Sequence, residues 1–321
     1  MTQTAAAPRW TVHLATQEHD EELLLLFARV FGQEMPLAQW RWKYADAPVR
    51  GLILRRGGAA VGFWGGMPRK MASPAGVVSA VQNGDVMVLP GESVVGRQGA
   101  MSQLCSAFLD RFVGPGSTYE FAFGFPNERA FRLGSKVGLY QPAGAMSELT
   151  WEPLSSPAPW RIRERVLTGQ NLAAIEPLWA AMRRDWAGYF VPIRDCARWM
   201  ARFVSHPQHR YALLLLASRW TGRPLCALVL REHAGHVAWL DFVGPASAVP
   251  LAVSAARRFA GRCGNKPVSA FVSDAVAAHF AADASACNAT AIHVPVNTRP
   301  QDERRPYVGR LWLMGGDTDF L

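Results

Sequence analysis

Two neighbouring stretches, residues 85–90 and 96–101, constrain the fold of this chain more than any other part of its sequence. The first, Asp-Val-Met-Val-Leu-Pro, predicts a short buried strand, and the second predicts a glycine-bearing loop that opens a helix. The first N–H groups of a helix have no partner within it, and they lie at the positive end of its dipole. A strand, a glycine loop and a helix start therefore predict a site for a phosphate-bearing ligand.

The composition indicates a well-packed globular protein rather than a disordered one. The chain has 321 residues, of which 50% are hydrophobic and 18% charged, and this length is enough for two domains. Its net charge of +9 suits an anionic ligand such as coenzyme A, or nucleic acid. Arginine-rich and alanine-rich composition also follows genome base composition. The sequence has no dense basic block and no zinc-finger spacing, so a nucleic-acid partner is not favoured.

The cysteines and the apolar runs predict a cytoplasmic protein with no membrane partner. The five cysteines are scattered and never form a Cys-x-x-Cys pair, which excludes a disulfide framework and a zinc site of that type. The first eight residues lack the pattern of a signal peptide. The apolar runs, such as residues 212–217, are far too short to span a bilayer. No metal site is predicted.

The order of predicted elements divides the chain at a linker rich in proline and serine. Amphipathic helices are predicted over residues 19–31 and 37–45, and two strands are predicted to meet at a Gly57-Gly58 turn. The linker covers residues 151–161. It separates a first domain, residues 1–150, from a second, residues 162–321.

The second domain repeats features of the first. Four pairs of residues, in or just after similar helices, share one constant offset: Ala38 and Ala197, Trp40 and Trp199, Tyr44 and Phe203, and Pro48 and Pro207. Asp85 and Asp241 each begin an apolar run that ends in proline. The second copy has no glycine loop after its proline, so its backbone is less free to approach a pyrophosphate. We therefore expect two copies of one α+β domain, of which only the first holds the ligand; chance similarity of Trp-rich helices is the alternative.

Two segments resemble the GNAT superfamily of acyl-CoA-dependent N-acyltransferases. One is residues 85–101, and the other is residues 123–140, in which Asn127, Ala130, Lys136 and Gly138 stand at the spacings of the family. The resemblance covers residues 10–150 and reaches the second half only through the repeat. It implies an α+β fold of two tandem GNAT-like domains, each a mixed, mostly antiparallel twisted sheet flanked by helices. It also implies that the second domain is degenerate.

The resemblance further implies an acetyl-CoA co-substrate and a set of residues that bind it. The main chain of Met87 and Val88 would pair with the pantetheine arm, and Asn127 would contact the cofactor where two strands splay apart. The loop and helix start would wrap the pyrophosphate through Gly96, Arg97, Gln98, Gly99, Ala100 and Met101. The sequence departs from the family pattern at Gly96, where arginine or glutamine is usual.

Three groups are candidates for the proton transfers of acyl transfer to an amine. Asp85 is a candidate base, although a structural hydrogen-bonding role is the alternative. Tyr140 is a candidate acid, because the tyrosine common in the family is replaced by Gly134; its alternative role is that of a core aromatic residue. Some tandem relatives use a C-terminal carboxylate as base, so the carboxylate of Leu321, or that of Asp317 or Asp319, is a third candidate, and simple docking of the terminus is its alternative.

These observations predict an acetyl-CoA-dependent N-acyltransferase that transfers the acyl group directly to an amine. The acceptor is a small molecule or a peptide, and the sequence does not choose between them. Two other functions remain open at this point. One is a non-catalytic acyl-CoA-binding or scaffold protein with the same fold, and the other is an aminoacyl-tRNA-dependent transferase of the related tandem type.

Overall fold

The computed structural model describes residues 9–92, 99–299 and 306–318, and its strands form one continuous 13-stranded sheet. The strands are β1 (Thr11–Ala15), β2 (Gly51–Arg56), β3 (Ala59–Ser73), β4 (Gly76–Val88), β5 (Phe121–Gly124), β6 (Gln141–Trp151), β7 (Ile162–Val166), β8 (Val191–Pro192), β9 (Ala212–Ser218), β10 (Pro224–Glu232), β11 (Val237–Val243), β12 (Val268–Ser273) and β13 (Ala286–Asn297). The helices are α1 (Asp20–Phe31), α2 (Leu37–Lys43), α3 (Ala100–Phe112), α4 (Glu128–Lys136), α5 (Glu176–Asp185), α6 (Cys196–Trp199), α7 (Val249–Arg262) and α8 (Asp274–Phe280).

The sheet contains the same strand pattern twice. Its order is β1-β2-β3-β4-β5-β13-β6-β12-β11-β10-β9-β7, and β8 pairs with β3. From one end, β1 to β4 are antiparallel neighbours and β5 then joins β4 in parallel. From the other end, β7, β9, β10 and β11 are antiparallel neighbours and β12 joins β11 in parallel. The mixed, mostly antiparallel sheet and the two-copy arrangement are as predicted.

The two halves exchange strands at the centre of the sheet. Strand β13, from the second half, lies between β5 and β6 of the first half, with Val296 opposite Phe123. Strand β6 in turn pairs with β12, where Trp151 lies opposite Val268. Each half of the sheet is thus completed by a strand of the other, so the halves cannot separate without breaking backbone hydrogen bonds.

Local sequence signals account for the elements around β2 and β3. Helix α1 buries Leu23 and Phe27 on one face and ends at Gly32, whose φ of 69° favours glycine. The β2–β3 hairpin turns at Gly57 and Gly58, both with positive φ, as the sequence predicts. Strand β4 begins well before the strand predicted at residues 85–90, and its earlier part pairs with β3 from Gly76 opposite Ser73 onward.

Helices pack against the sheet, and most tryptophans lie in the resulting cores. Trp40, Trp64 and Trp186 are among the buried ones. Trp42 is different, because its indole nitrogen donates to the Ala201 carbonyl of the other half at 2.7 Å. Among the described residues, no helix has both the length and the apolar character needed to cross a bilayer.

Candidate active site

The first half of the sheet opens where β4 and β5 part. The two strands pair in parallel from Ala80 opposite Phe121 to Asn83 opposite Gly124, where β5 ends. Strand β4 continues to Val88 and is paired there with β3 on its other side. A strand edge of this kind can bind the amides of an extended ligand by adding them as a further strand.

A β-bulge lies at the point where the strands part. Between Gly84 and Met87 strand β4 takes one residue more than β3 takes between Gly65 and Phe63, so the extra residue bends the strand. Asp85 lies in this bulge with a φ of 49°, which is uncommon for a residue other than glycine. Strained backbone of this kind clusters at functional sites, where the surrounding structure holds it.

The Asp85 carboxylate is buried and binds two side chains at the end of α2. Lys43 donates from Nζ to Oδ1 at 2.7 Å, and Tyr44 donates from its hydroxyl to Oδ2 at 2.8 Å. The side chains of Lys43 and Asp85 are each 6% exposed. Charge-assisted hydrogen bonds in such a buried place are strong and fix their geometry. An aspartate, an ammonium group and a phenol therefore meet at the mouth of the splayed strands.

Gly65 makes room for this cluster. A Cβ at position 65 would lie 2.2 Å from the Tyr44 hydroxyl oxygen and 2.4 Å from the Gly84 carbonyl oxygen. Neither distance is compatible with a real Cβ, so any side chain here would displace either the phenol or the bulge. The bare backbone of Gly65 thus lets the Tyr44 hydroxyl reach Asp85.

Met87 and Val88 lie on the strand that carries the open edge. The Met87 side chain is fully buried against the cluster that contains Tyr44 and Phe63, while Val88 packs toward α3. Their side chains alternate between the two faces of the sheet, as strand geometry requires. The backbone of this segment is therefore fixed in position by packing on both faces.

Two helices begin beside the splayed strands. Helix α3 starts at Ala100 with Gly99 as its N-cap, and Met101 in its first turn is 38% exposed. Helix α4 starts after Asn127, whose side chain accepts from the Ala130 N–H at 2.9 Å. Helix starts favour anionic groups. Three residues predicted to bind the cofactor lie outside the described residues: Gly96, Arg97 and Gln98.

The Tyr140 ring fills the space beside Gly134, the position at which the family commonly has a tyrosine. A Cβ at Gly134 would lie 2.3 Å from the Tyr140 ring, so the ring covers the position where the family tyrosine would start. The ring also stacks on Phe131, with centroids 6.5 Å apart. Burial raises the pKa of Tyr140, with the nearby Cys105 on α3 adding to the effect. The Tyr140 hydroxyl therefore stays protonated at neutral pH.

Arg202, in the second half of the chain, contacts α2. Its guanidinium lies over the Trp42 ring at 4.9 Å and donates from Nε to the Gly316 carbonyl at 3.0 Å. Arg202 also donates from Nη2 to the Thr318 carbonyl. Leu321, the third candidate base, lies outside the described residues.

The aspartate that matches Asp85 in the repeat is bound differently. Asp241 accepts from the buried Arg194 at 2.7 Å and from the Trp199 indole at 3.1 Å. Arg194 also binds Asp317 at 2.5 Å, so one guanidinium links two carboxylates. Burial raises the pKa of Asp241 to about 6. This cluster is closed to solvent and serves the packing of the second half.

The second pair of parallel strands also parts, but the chain itself fills the gap. The β11–β12 ladder ends with Ala238 opposite Ser269. Beyond it, Met314 bridges to Val272, the Leu313 carbonyl accepts from Ser273 N–H at 2.9 Å, and the backbone at 316 packs against β11. Residues 311–318 therefore occupy the place that corresponds, in the first half, to the edge of β4 beyond Asn83, where no described strand pairs on the β5 side.

Comparison with known proteins supports the fold rather than a sequence family. No sequence-family model and no curated protein matches the chain. A GCN5-related N-acetyltransferase from Kribbella flavida matches with a TM-score of 0.67 and 16% identity, over 90% of this chain and 71% of that one. One from Anabaena variabilis ATCC 29413 matches at 0.62 and 14%, over 90% and 72%. Saccharomyces cerevisiae N-myristoyltransferase with bound myristoyl-CoA and inhibitors matches at 0.56 and 8%, over 92% and 81%.

The chain has the GNAT fold. The similar structures cover both halves of the chain, in agreement with a tandem GNAT arrangement. Identities of 16% and below establish the architecture and leave the chemistry to the residues of this chain.

Sequence reasoning missed Lys43 and Tyr44 as members of the candidate site in this GNAT fold. They lie about 40 residues before Asp85, and only the packing of α2 against β4 brings them to it. One signal was present in the repeat. Tyr44 matches Phe203, which has no hydroxyl, so the two copies differ at the residue that binds the aspartate in the first.

Proposed function

We propose that this protein is an acyl-CoA-dependent N-acyltransferase whose cofactor site lies in the first domain, residues 1–150. The observation that carries the proposal is the parting of β4 and β5 beside the starts of α3 and α4. The amides of a pantetheine arm suit the open strand edge at Met87 and Val88. A pyrophosphate suits the start of α3 at Gly99, Ala100 and Met101.

Direct transfer needs an amine that loses a proton and a thiolate that gains one. The amine nitrogen forms a bond to the thioester carbon, and the carbon–sulfur bond then breaks. We propose that the Asp85 carboxylate accepts the amine proton, directly or through water. Tyr44 and Lys43 hold this carboxylate in place. Tyr140 is the proposed donor to the thiolate, because its ring covers the position where the family tyrosine would start.

We propose acetyl-CoA as the co-substrate and a small-molecule or peptide amine as the acceptor. Two of the similar structures are N-acetyltransferases, which supports the acetyl group, although a myristoyl-CoA complex also shares the fold. The five cysteines are all free, which supports a reducing, cytoplasmic setting. A longer acyl chain is the alternative that the cofactor titration must include.

A non-catalytic acyl-CoA-binding protein is the second candidate function. The observation in its favour is Gly134, which offers no acid at the position where the family tyrosine is common. The two functions share the cofactor site and differ in turnover. They are therefore separated by measuring binding and thiol release on the same preparation.

The test combines calorimetric titration with a thiol-release assay across a panel of amines. Wild-type protein should bind acetyl-CoA or a longer acyl-CoA and release coenzyme A when the right amine is present. Asp85→Asn should retain binding and lose release, while Asp110→Asn, a change at an exposed carboxylate on α3, should alter neither. Binding without release across the panel favours the non-catalytic function, and no binding at millimolar ligand contradicts both.

A further inference from the structure

A cavity of about 600 Å³ lies on one face of the second half of the sheet. It is lined by β6, β10, β11 and β12, and Gly315 of the segment that fills the second strand gap closes part of its edge. A volume of this size is typical of sites for small molecules. The cavity is separate from the Asp85 cluster, none of whose residues lines it.

One wall of the cavity carries the guanidinium of Arg231, which lies 6.0 Å from the centre of the Tyr211 ring. Arg231 donates from Nε to His233 Nε2 at 2.9 Å, while its Nη1 is buried and has no hydrogen-bond partner. Burial lowers the pKa of His233, with Arg231 adding to the effect, so the ring accepts this bond in its neutral form at pH 7. His236 stacks on His233 with the two rings nearly parallel, 4.6 Å apart. A buried N–H without a partner is costly unless something binds it.

The opposite wall carries a carboxylate. Glu148 lines the cavity, and no donor among the residues that the structure describes binds its oxygens. It projects to the same face as Thr150, two residues further along β6. The two walls therefore carry opposite charges. Each has polar atoms, Arg231 Nη1 and the Glu148 oxygens, that bind no partner among the described residues.

The strand register fixes the span between the walls. Arg231 lies opposite Ala238, Ala238 opposite Ser269, and Ser269 opposite Thr150. Three strand spacings separate the Cα atoms of Arg231 and Thr150 by about 14 Å, and Glu148 lies two residues before Thr150 on β6. The two residues in this row between Arg231 and Thr150 are small, so the floor leaves space for a chain of several atoms beside them.

The geometry points to a second ligand site, specific for a zwitterion with its carboxylate at Arg231 and its ammonium group at Glu148. The separation of the walls suits an ω-amino acid or a short peptide rather than a compact α-amino acid. The site is independent of the proposed acyl transfer, since it uses neither Asp85 nor the open edge of β4.

The test is a calorimetric titration of the full chain with three matched probes: 6-aminohexanoate, hexanoate and hexylamine. 6-Aminohexanoate should bind at least fivefold more tightly than either single-charge probe. Arg231→Gln should abolish its binding, and Glu148→Gln should reduce it to the affinity of hexanoate. Arg223→Gln, at an exposed arginine on the same half, should leave it unchanged.

Three results would overturn the assignment: no binding of the zwitterion at 10 mM, equal binding of hexanoate, or unchanged binding by Arg231→Gln. Circular dichroism and a cooperative melt on each variant ensure that a lost signal is not a lost fold. Asp85→Asn should bind 6-aminohexanoate like wild type, so failure of the acyltransferase proposal and failure of this site give different patterns.

Discussion

The Tyr44 hydroxyl donates to Asp85 Oδ2 at 2.8 Å, and this contact joins the end of α2 to the bulge at which β4 leaves β5. It gives the first half of the fold a feature that its repeat lacks, since Phe203 stands at the matching position. The aspartate of the second half is instead bound to the buried Arg194. Asp85 thus lies at the edge of the sheet in the first copy, whereas Asp241 belongs to a buried packing cluster in the second.

Tyr44→Phe should lower the rate of acyl transfer while leaving the fold intact. The ring still packs on Trp40, at 4.7 Å between centroids, and only the hydroxyl is lost. A hydrogen bond to a charged group is worth about 1.5–3 kcal/mol, which corresponds to a fall in kcat of about 10- to 160-fold. Steady-state kinetics at saturating acyl-CoA measure this. An unchanged kcat would remove Tyr44 from the site.

Gly65→Ala should damage both stability and activity, because its Cβ would collide with the Tyr44 hydroxyl and the Gly84 carbonyl. We expect a loss of about 1–3 kcal/mol in the free energy of unfolding, typical of overpacking. Gly188→Ala is the matched control, since a Cβ there meets nothing within 4 Å. Urea denaturation of both variants tests the prediction, and equal stability of the two would contradict it.

Arg194→Met should destabilise the protein strongly without weakening the binding of acyl-CoA. The change leaves Asp241 and Asp317 buried without their shared cation. Removal of one partner from a buried ion pair costs about 3–5 kcal/mol. Arg223→Met, at an exposed arginine, should cost less than about 0.5 kcal/mol. A loss below about 1 kcal/mol for Arg194→Met would show that the cluster is not structural.

His206 should make the protein less stable as the pH falls. Its Nδ1 accepts from the backbone N–H groups of Gln208 and His209 at 3.1 and 3.0 Å, so protonation breaks both bonds. Burial lowers the pKa of His206 to about 4 from its ordinary value of 6.5. The unfolded chain therefore takes up this proton first, and the contribution is complete above pH 6.5 and is lost as the pH falls toward 4.

His206→Asn separates this effect from those of other titrating groups. An asparagine side chain can still accept from a nearby backbone N–H but does not titrate. The difference in free energy of unfolding between wild type and variant should shrink steadily between pH 6.5 and 4. Denaturation curves at several pH values measure it, and a constant difference would contradict the assignment.

Local signals in the sequence predicted the parts of the fold that depend on neighbours in the chain. The turn at Gly57 and Gly58 needs positive φ, and the start of α4 needs a capping side chain, which Asn127 supplies. The repeat predicted two similar copies of the domain, because the matching residues give the corresponding helix of each copy the same buried face. These features depend on a few adjacent residues or on one constant spacing in the sequence.

Contacts between distant segments were not predicted. The exchange of β6 and β13 between halves leaves no local pattern, because each strand would have the same alternation in its own half. The link from Arg194 to Asp317 spans 123 positions, and nothing near either residue signals it. The same holds for Lys43 and Asp85, so the aspartate was predicted from the sequence and the side chains that bind it were not.

A crystal structure of the protein with coenzyme A bound tests the central claim most directly. The account predicts one molecule per chain, with its pantetheine arm alongside Met87 and Val88 and its pyrophosphate at the start of α3. The thiol should lie near Asp85 and Tyr140. A cofactor bound in the second half of the sheet, or a structure without bound cofactor at millimolar coenzyme A, would contradict it.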